Sequence, residues 1–451
     1  MLKKAVARYH ELLTDTELAE SSVKMLDEGL AGSKLIFGGR RLVPYLRPHF
    51  VTKTDWQSVV KNCEIMWSAL QKVKEAAVKD DNLLRELGFS GIELELIKID
   101  PGYSQVSATS RLDSFLTEDA YSYVELNGES PAGIAYADSA TEIFLSLPVM
   151  KKFMETYEVR GFIGRPKMLN VLLECYEEFL GKPFTEKPVI AIVDLKGLPT
   201  QAEFELFQEY FESQGYRAII CSPEELEFDG GKLYCGSVVI DIVYKRILVN
   251  EYLPIMEKHP ALFDAYRAGA VCMVNSFRGK LVHKKAVFAI LTGEDHQHLF
   301  DEAELAVIKA HVPWTRIFRD EKTFNNRAEI DLVEWTRQNA HKLVLKPNDD
   351  YGGHGIYIGW SLSENEWNEA IETAIANGDY LVQERVKTAK EMFPMLMDDL
   401  GNWIMTEQLV DLDPLLFNGT VGSAFTRLSS TELANVSSGG GMVPTFIINE
   451  K

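Results

Sequence analysis

The segment 342–360, KLVLKPNDDYGGHGIYIGW, combines two short apolar runs with a lysine and a glycine-rich loop. The two runs suit strands, and Lys346 lies at the end of the first. Gly352, Gly353 and Gly355 allow backbone N–H groups to close around an anion, because glycine has no Cβ. A lysine beside such a loop adds a positive charge for a phosphate. The segment predicts either a phosphate-binding loop or an ordinary glycine-rich hairpin with a lysine at its edge.

Two familiar nucleotide-binding motifs are excluded. The glycine-rich segment is not a Walker A loop, because no G-K-S/T sequence precedes a helix. A separate β-α-β unit begins at Val189–Leu195, a continuous apolar run of the parallel-sheet kind. Glu203–Ser213 is its predicted helix, and Arg217–Cys221 and Val238–Val243 are its further strands. No G-x-G-x-x-G follows Val193, so this Rossmann-like unit predicts no NAD site.

A second polar pattern lies on two predicted strands before residue 130. Arg111 and Asp113 are two positions apart, as are Glu125 and Asn127, so each pair shares one face of its strand. The leucines between them face the other way. Carboxylate and amide oxygens are the ligands that Mg²⁺ prefers when it also binds phosphate. From spacing alone, the alternatives are a magnesium site and the solvent-facing side of an antiparallel pair.

A third pattern follows the predicted helix Glu364–Asn377. The segment Tyr380–Val386, YLVQERV, is an apolar strand that ends in Gln383 and Glu384. Such a strand suits an adenine pocket, in which polar groups pair with the purine edge and Val386 flanks the ring. The alternative is a core strand that emerges into solvent.

The rest of the chain predicts a mixed α/β protein with four parts. We expect a mainly helical part at 1–90, a part with the polar strand pair at 91–184, the β-α-β unit at 185–278, and a last part at 279–451. Within them, 91–100 alternates like a strand, and 140–182 is predicted helical with Tyr157 on its apolar face. Lys284 and Lys285 open a predicted helix. One helix, from Asp55, has a clear apolar stripe: Trp56, Val59, Val60, Cys63, Met66, Trp67 and Leu70.

The composition of the chain bears on its binding partners and on its cellular compartment. The 451 residues carry a formal net charge of −20, which argues against binding a nucleic-acid backbone. The five cysteines are scattered without a C-x-x-C pair, as in a reduced cytoplasmic protein. The charged N-terminus does not resemble a signal peptide, and no apolar run is long enough to span a membrane. The expected compartment is the cytoplasm.

Together these motifs resemble the ATP-grasp superfamily in its circularly permuted form, and in particular the synthetase domain of glutathionylspermidine synthetase. The R-x-D motif at Arg111, the twelve positions from Asp113 to Glu125, and the E-x-N motif match that family's metal motif in residue type and spacing. In an ordinary ATP-grasp chain the lysine and glycine loop precede the metal motif. Here the metal motif comes first, which is the order of the permuted form.

The resemblance implies a role for each matched residue. Asp113, Glu125 and Asn127 would hold Mg²⁺, and Arg111 would contact the transferred phosphoryl group and the acyl intermediate. The nucleotide would be bound by the following residues: Lys285, chosen over Lys284, Lys346, Gly352, Gly353, Gly355, Gln383, Glu384 and Val386. The loop Ser437–Gly441 would be either a second phosphate-facing loop or a hairpin tip.

The implied activity is an ATP- and Mg²⁺-dependent ligase that joins a carboxylate to an amine through an acyl phosphate. Its partners would be small-molecule or peptide acids and amines, with no nucleic acid and no membrane. The alternatives are a non-catalytic nucleotide-binding protein and a phosphotransferase on the same fold. Sequence does not identify the acid or the amine.

Overall fold

The computed structural model describes residues 1–37, 40–350, 352–397, 401–432 and 440–451. Most of the predicted loop Ser437–Gly441 therefore lies outside the described residues. No helix in these ranges is long and apolar enough to cross a membrane.

The α-helices are α1 Leu2–Leu12, α2 Thr16–Gly32, α3 Lys53–Ala77, α4 Asp81–Glu86, α5 Ile92–Lys98, α6 Ile134–Ser146, α7 Pro148–Phe153, α8 Arg165–Leu180, α9 Gln201–Ser213, α10 Val249–Met256, α11 Ala261–Arg267, α12 Lys280–His283, α13 Val287–Thr292, α14 Glu302–His311, α15 Leu332–Gln338 and α16 Glu364–Asn377. The strands are β1 Ile36–Phe37, β2 Arg40–Arg41, β3 His49–Thr52, β4 Thr109–Leu116, β5 Tyr121–Asn127, β6 Tyr157–Arg160, β7 Ile190–Val193, β8 Ala218–Cys221, β9 Leu226–Asp229, β10 Lys232–Cys235, β11 Val238–Ile240, β12 Ile242–Lys245, β13 Cys272–Val274, β14 Thr315–Ile317, β15 Lys322–Asn325, β16 Ala328–Asp331, β17 Leu343–Pro347, β18 Tyr357–Ile358, β19 Tyr380–Glu384, β20 Ala389–Leu396, β21 Trp403–Phe417, β22 Thr420–Ser429 and β23 Gly441–Glu450.

Three sheets position the site. The largest has the order β3-β23-β22-β21-β4-β5, with β20 beside β21 and β6 beside β23. A parallel sheet has the order β13-β12-β7-β8, and an antiparallel one has the order β14-β19-β17-β18. The large sheet thus brings early and late parts of the chain together, because β4 pairs with β21 near the C-terminus and β5 pairs with β4.

Helix α3 covers one face of the large sheet. Its predicted apolar stripe is confirmed, and Trp67 and Leu70 are buried in one cluster with Leu112 and Leu126. Since neighbouring side chains on a strand point to opposite faces, burial of these leucines turns the polar residues of β4 and β5 to the other face. Burial of Leu112 and Leu126 therefore determines the face of the sheet on which the polar residues of β4 and β5 lie.

Four sequence predictions of local structure are corrected. Within 91–100, residues Ile92–Lys98 form helix α5 rather than a strand, and the consecutive residues Leu96 and Ile97 are both buried, which the alternation of a strand does not produce. The predicted helical stretch 140–182 is interrupted by β6, which includes Tyr157 and pairs with β23 almost 300 residues away. Such a distant partner leaves no trace in local periodicity.

The third correction concerns the β-α-β unit. The predicted strand Val238–Val243 is divided at Asp241 into β11, in a small antiparallel sheet, and β12, in the parallel sheet. The Asp241 carboxylate accepts a hydrogen bond from the Val189 backbone N–H at 2.8 Å.

The fourth correction concerns the helix that was predicted to open at Lys284. This helix, α13, begins at Val287. The predicted part boundaries remain predictions.

Gly359 offers a test of the packing behind the glycine-rich segment. A Cβ at this residue would overlap the Ala340 carbonyl oxygen and lie 2.9 Å from the Leu343 carbonyl oxygen. We expect Gly359→Ala to lower the free energy of unfolding by about 1–3 kcal/mol, measured by urea denaturation. Gly32→Ala is the control, because a Cβ there meets no described atom within 4 Å. Equal stability of the two variants would contradict this packing.

Candidate active site

The four polar residues of the predicted metal motif face one another across β4 and β5. The antiparallel register places Arg111 opposite Asn127 and Asp113 opposite Glu125. The Asn127 side-chain N–H donates to Asp113 Oδ1 at 3.1 Å. The structure therefore brings together the side chains that the sequence placed in two separate pairs.

The Asn275 side chain clamps the ends of these two strands. Its Oδ1 accepts hydrogen bonds from the Ala108 and Thr109 backbone N–H groups at 2.7 and 3.0 Å. Its Nδ2 donates to the carbonyl oxygens of Thr109, Gly128 and Glu129 at 2.7–3.2 Å. Asn275 is buried, so these bonds are shielded from water and hold the start of β4 beside the end of β5. Nothing in its sequence surroundings predicted this role.

Glu129, two residues after Asn127, connects the paired ends of β4 and β5 to the glycine-rich segment 342–360. Its carboxylate lies 3.2 Å from Lys280 Nζ and 3.5 Å from Lys245 Nζ, with all three side chains buried. Burial alone would raise the pKa of Glu129, but attraction to Lys280 and Lys245 lowers it to about 2. Lys280 Nζ also donates to Asp349 Oδ1 at 2.7 Å. Lys280 thus connects the residues that follow the predicted metal motif with the residues that precede the glycine-rich loop.

Asp113 is held by two arginines. Arg111 donates to both of its carboxylate oxygens, from Nε at 2.7 Å and from Nη2 at 3.2 Å. Arg427 Nη2 donates to Asp113 Oδ2 at 2.6 Å. Burial would raise the pKa of Asp113, but Arg111 and Arg427 together hold this pKa well below its usual value. Asp113 is therefore a carboxylate at neutral pH.

Arg427 also binds two aspartates that the sequence prediction missed. On β21, Asp411 Oδ2 lies 2.6 Å from its Nη2, and Asp413 Oδ2 lies 2.9 Å from its Nε. Asp113, Asp411 and Asp413 form a buried trio whose oxygens lie within 4.8 Å of one another. Burial raises the pKa of Asp411 to about 6, although Arg427 opposes the shift. The available signal was the D-x-D spacing, which places both aspartates on one strand face.

The second wall of the site carries two lysines. Lys285 Nζ lies 3.1 Å from Glu125 Oε1 and donates to the Asp350 carbonyl oxygen at 2.5 Å. Its position is fixed by Asn348, whose carbonyl oxygen accepts from the Lys285 backbone N–H at 3.0 Å. By contrast, Lys284 Nζ turns away to the Gly88 carbonyl oxygen at 2.7 Å. Of the two candidates, Lys285 is the one that reaches the polar strands.

Lys346 lies at the end of β17, close to the same group. Its Nζ donates to Gln383 Oε1 at 2.7 Å and to the Val124 carbonyl oxygen at 3.2 Å. Burial lowers the pKa of Lys346 to about 8, and Glu125 offsets part of this shift. At pH 7 the side chain is still mostly protonated, so it can neutralise an anion.

A cavity of about 110 Å³ separates the two walls. Asp113, Glu125, Lys346, Gln383 and Glu384 line it together. Apolar side chains form one part of its lining: Phe115, Val124, Val344, Ile356, Ile358 and Val386. The remaining lining residues are Trp360, Arg385, Thr388, Asp411, Arg427 and Glu432. Asp113 and Glu125 of the predicted metal motif thus face the same cavity as Lys346 and the end of β19, whereas Arg111 and Asn127 line a second cavity. An apolar slot with polar groups at one edge suits a heteroaromatic ring.

The glycines of segment 342–360 lie beside this arrangement. Gly352, Gly353 and Gly355 have φ of 71°, 82° and 67°, which residues with a Cβ rarely adopt. Gly352 lines a second cavity of about 490 Å³, which also contacts Arg111, Asn127 and Arg427. Arg427 lines both cavities. Arg427 therefore lies where the two cavities meet, and Gly352 lies at the wall of the second one.

The residues present fit a magnesium ion in their chemistry. Asp113 and Glu125 are carboxylates at neutral pH, and Asn127 uses its amide nitrogen towards Asp113, which leaves its amide oxygen for a cation. In this structure, basic side chains partner both carboxylates: Arg111 and Arg427 at Asp113, and Lys285 at Glu125. A divalent cation would share these oxygens with the basic side chains or displace them.

Comparison with known proteins identifies a shared fold. No protein-family model and no curated protein sequence matches the chain. The chain is similar to the structure of a glutathione synthetase-like effector from Globodera pallida, with a TM-score of 0.63 and 13% identity. The match covers 95% of this chain and 97% of that one. The predicted α/β fold of ATP-grasp type is confirmed, and the circular permutation remains a prediction.

Two further structures show weaker likeness. A putative gamma-glutamylcysteine synthetase from Methylobacillus flagellatus matches with a TM-score of 0.37 and 9% identity, over 86% of each chain. An ATP-grasp RimK domain protein from Sphaerobacter thermophilus matches with a TM-score of 0.28 and 13% identity, over 58% of this chain and 90% of that one. At such scores no conclusion about this chain rests on them.

Proposed function

We propose that the chain is an ATP- and Mg²⁺-dependent ligase that joins a carboxylate to an amine. The observation that carries this proposal is the meeting of Asp113 and Glu125 with Lys346, Gln383 and Glu384 around one cavity. These residues come from segments more than 200 positions apart in the sequence. Their convergence matches the arrangement that the resemblance implies for a magnesium-bound nucleotide.

The cationic side chains of the site, together with a magnesium ion on its carboxylates, would suit a polyanionic ligand. Although the whole chain has a net charge of −20, this region concentrates buried or nearly buried cationic side chains. Lys285 and Lys346 are proposed to contact the ATP phosphates, and the glycines from 352 to 355 would cover them with backbone N–H groups. Burial of these cations removes the solvent screening that would weaken them at the surface.

The apolar part of the smaller cavity suits adenine. Gln383 and Glu384 lie at its polar edge, and Val386 packs near Phe115 and Leu409. Glu384 accepts a hydrogen bond from Asn325 Nδ2 at 3.2 Å, so its carboxylate already has an ordered position. We propose that the purine lies between these groups and that the triphosphate extends towards Asp113.

The reaction would proceed in two steps. A carboxylate oxygen of the acid attacks the γ-phosphorus and ADP leaves, which gives an acyl phosphate. The neutral amine then attacks the acyl carbon, phosphate leaves, and the amide forms with release of a proton. Mg²⁺ held by Asp113, Glu125 and Asn127 would offset phosphate charge. Arg111 is proposed to stabilise the transferred phosphoryl group, since phosphoryl transfer needs positioning and charge neutralisation.

Release of ADP tests the function. The full chain with Mg·ATP would be screened against amino acids, small peptides and polyamines, each with and without an acid partner. We expect ADP and phosphate to form in equal amounts only when both an acid and an amine are present. ADP formation with one acceptor and no amine would instead indicate a phosphotransferase. Tight Mg·ATP binding without ADP release for any pair would indicate a non-catalytic nucleotide-binding protein.

A further inference from the structure

The larger cavity carries charges on two walls. On the large sheet, Arg111, Asn127 and Arg427 contribute to it, close to the proposed phosphoryl-transfer position. On the parallel sheet, Asp194 and Arg246 contribute to the same cavity. The sequence prediction assigned no function to these last two residues.

The position of Asp194 and Arg246 follows from the topology. Asp194 directly follows β7, and Arg246 directly follows β12, and these neighbouring strands are parallel. Ligands of open α/β sheets bind beyond the carboxyl ends of their strands, where loops leave a crevice. Both side chains emerge at that edge and are almost fully buried, with 7% and 4% of each residue exposed.

Asp194 is a buried acid whose carboxylate has few hydrogen-bonding partners. Within the described part of the chain its carboxylate accepts one hydrogen bond, from the Leu195 backbone N–H at 2.8 Å, and forms no ion pair. Burial raises the pKa of Asp194 to about 6, and attraction to Arg246 offsets only part of the shift. A buried carboxylate of this kind gains most from a cationic partner.

Arg246 is a buried base whose donors are incompletely used. Its Nη1 donates to the Pro131 carbonyl oxygen at 2.8 Å and to the Tyr244 hydroxyl oxygen at 3.1 Å. Its Nη2 lies 3.6 Å from Glu203 Oε2, too far for a good hydrogen bond. Its Nε is buried and has no partner among the described residues. A carboxylate would satisfy this guanidinium better than the protein does.

The backbone at 131–132 links Arg246 to Arg111 at the proposed reaction centre. Arg246 donates to the carbonyl oxygen of Pro131, and Arg111 Nη1 donates to that of Ala132 at 3.1 Å. Consecutive Cα atoms are about 3.8 Å apart, so the two guanidinium groups are held by neighbouring peptide units. A small molecule anchored at Arg246 can therefore reach Arg111 in one cavity.

We propose that Asp194 and Arg246 bind the ammonium and the carboxylate of an α-amino acid group carried by one of the two ligase substrates. The two side chains have opposite charge, form no ion pair with each other, and both line the cavity of about 490 Å³, which would hold the zwitterion. Glu251, whose Oε2 accepts the Leu248 backbone N–H at 3.2 Å, lines the same wall. A simple fatty acid would leave Asp194 without a cationic partner, and a simple polyamine would leave the buried Nε of Arg246 without an acceptor. This inference rests on the proposed ligase function for its substrate role.

Direct binding tests the inference without turnover. Isothermal titration of the full chain, with Mg·ADP present, would use each common L-amino acid in turn. For each amino acid that binds, the analogue that lacks the ammonium and the analogue that lacks the carboxylate would follow. We expect at least one amino acid to bind, and each analogue to bind at least about tenfold more weakly, or about 1.4 kcal/mol.

Variants identify the subsite. Asp194→Asn keeps the size of the side chain and is expected to weaken amino acid binding at least about tenfold, and Arg246→Gln should do the same. Asp229→Asn, an exposed aspartate at the end of β9, is the matched control and should bind like the unmodified chain. Urea unfolding would verify that Asp194→Asn remains folded, should Arg246→Gln not fold.

The outcomes separate this inference from the proposed function. Absence of amino acid binding, equal binding of the analogues, or an unchanged affinity of Asp194→Asn would overturn the subsite. Amino acid binding that depends on Asp194, without ADP release for any acid and amine, would support the subsite and contradict the ligase. ADP release only with pairs that carry no α-amino acid group would support the ligase and overturn the subsite.

Discussion

Asp113→Asn is expected to lower ADP release at least 10²- to 10³-fold, which corresponds to about 3–4 kcal/mol of transition-state stabilisation. The substitution keeps the side-chain size but removes the charge that Arg111 and Arg427 hold in place. It also removes one of the two proposed carboxylate ligands of Mg²⁺. The measurement is steady-state ADP release with the acid and amine found in the screen.

Two comparison variants make the Asp113 result specific. Asp119→Asn lies in the turn of the same β4–β5 hairpin, where its exposed carboxylate pairs with Lys387, and it should retain full activity. Asp413→Asn loosens Arg427 without touching the smaller cavity, so it should cost less activity than Asp113→Asn. Near-normal turnover by Asp113→Asn, in a folded protein, would refute its proposed role.

Lys346→Met is expected to weaken Mg·ATP binding about 10- to 100-fold, because a hydrogen bond to a charged group contributes about 1.5–3 kcal/mol. Methionine preserves much of the apolar stem, so the loss reflects the ammonium group. The substitution also removes the donor to Gln383 Oε1 at the proposed adenine edge. Isothermal titration with Mg·ATP measures the effect independently of any acid or amine.

The matched control for Lys346 is Lys342→Met, four residues earlier. Lys342 lies over the Trp335 ring, with its Nζ 4.8 Å from the ring centroid, and does not line either cavity. We expect its ATP affinity to equal that of the unmodified chain. Equal affinities for Lys346→Met and the unmodified chain would place the phosphates elsewhere.

The local spacing of apolar residues was sufficient to predict many of the helices and strands. Helix α16 begins and ends where its periodicity and the following glycine predict, and β5 has its predicted bounds. The misassigned helix α5 shows the limit of this approach, because its short glutamate and leucine alternation fits both periods. Strand β6 was missed because its pairing partner, β23, lies at the other end of the chain.

Residues of the candidate site could be predicted from the sequence only where several of them lie within one short motif. Arg111, Asp113, Glu125 and Asn127 are close in sequence and alternate on two adjacent strands, so their common face could be inferred. Arg427 and its aspartate partners on β21 join Asp113 only through sheet pairing over some 300 residues, which local spacing does not reveal.

Asp194 and Arg246 were missed for a similar reason. Each directly follows a strand of the parallel sheet, and only the order β13-β12-β7-β8 makes those strands neighbours. The continuous apolar runs identified the strands but not their order. Topology, rather than any motif, is what joins these two charges in one cavity.

Transfer of oxygen-18 from the acid to phosphate tests the central claim most directly. The acid found in the screen would be labelled in its carboxylate, and the phosphate released with ADP would be analysed by mass spectrometry. Because the acyl phosphate leaves its bridging oxygen on phosphorus, the account predicts one labelled oxygen in each phosphate released. Phosphate that carries no label, in the presence of amide or ADP formation, would contradict the proposed acyl-phosphate ligase.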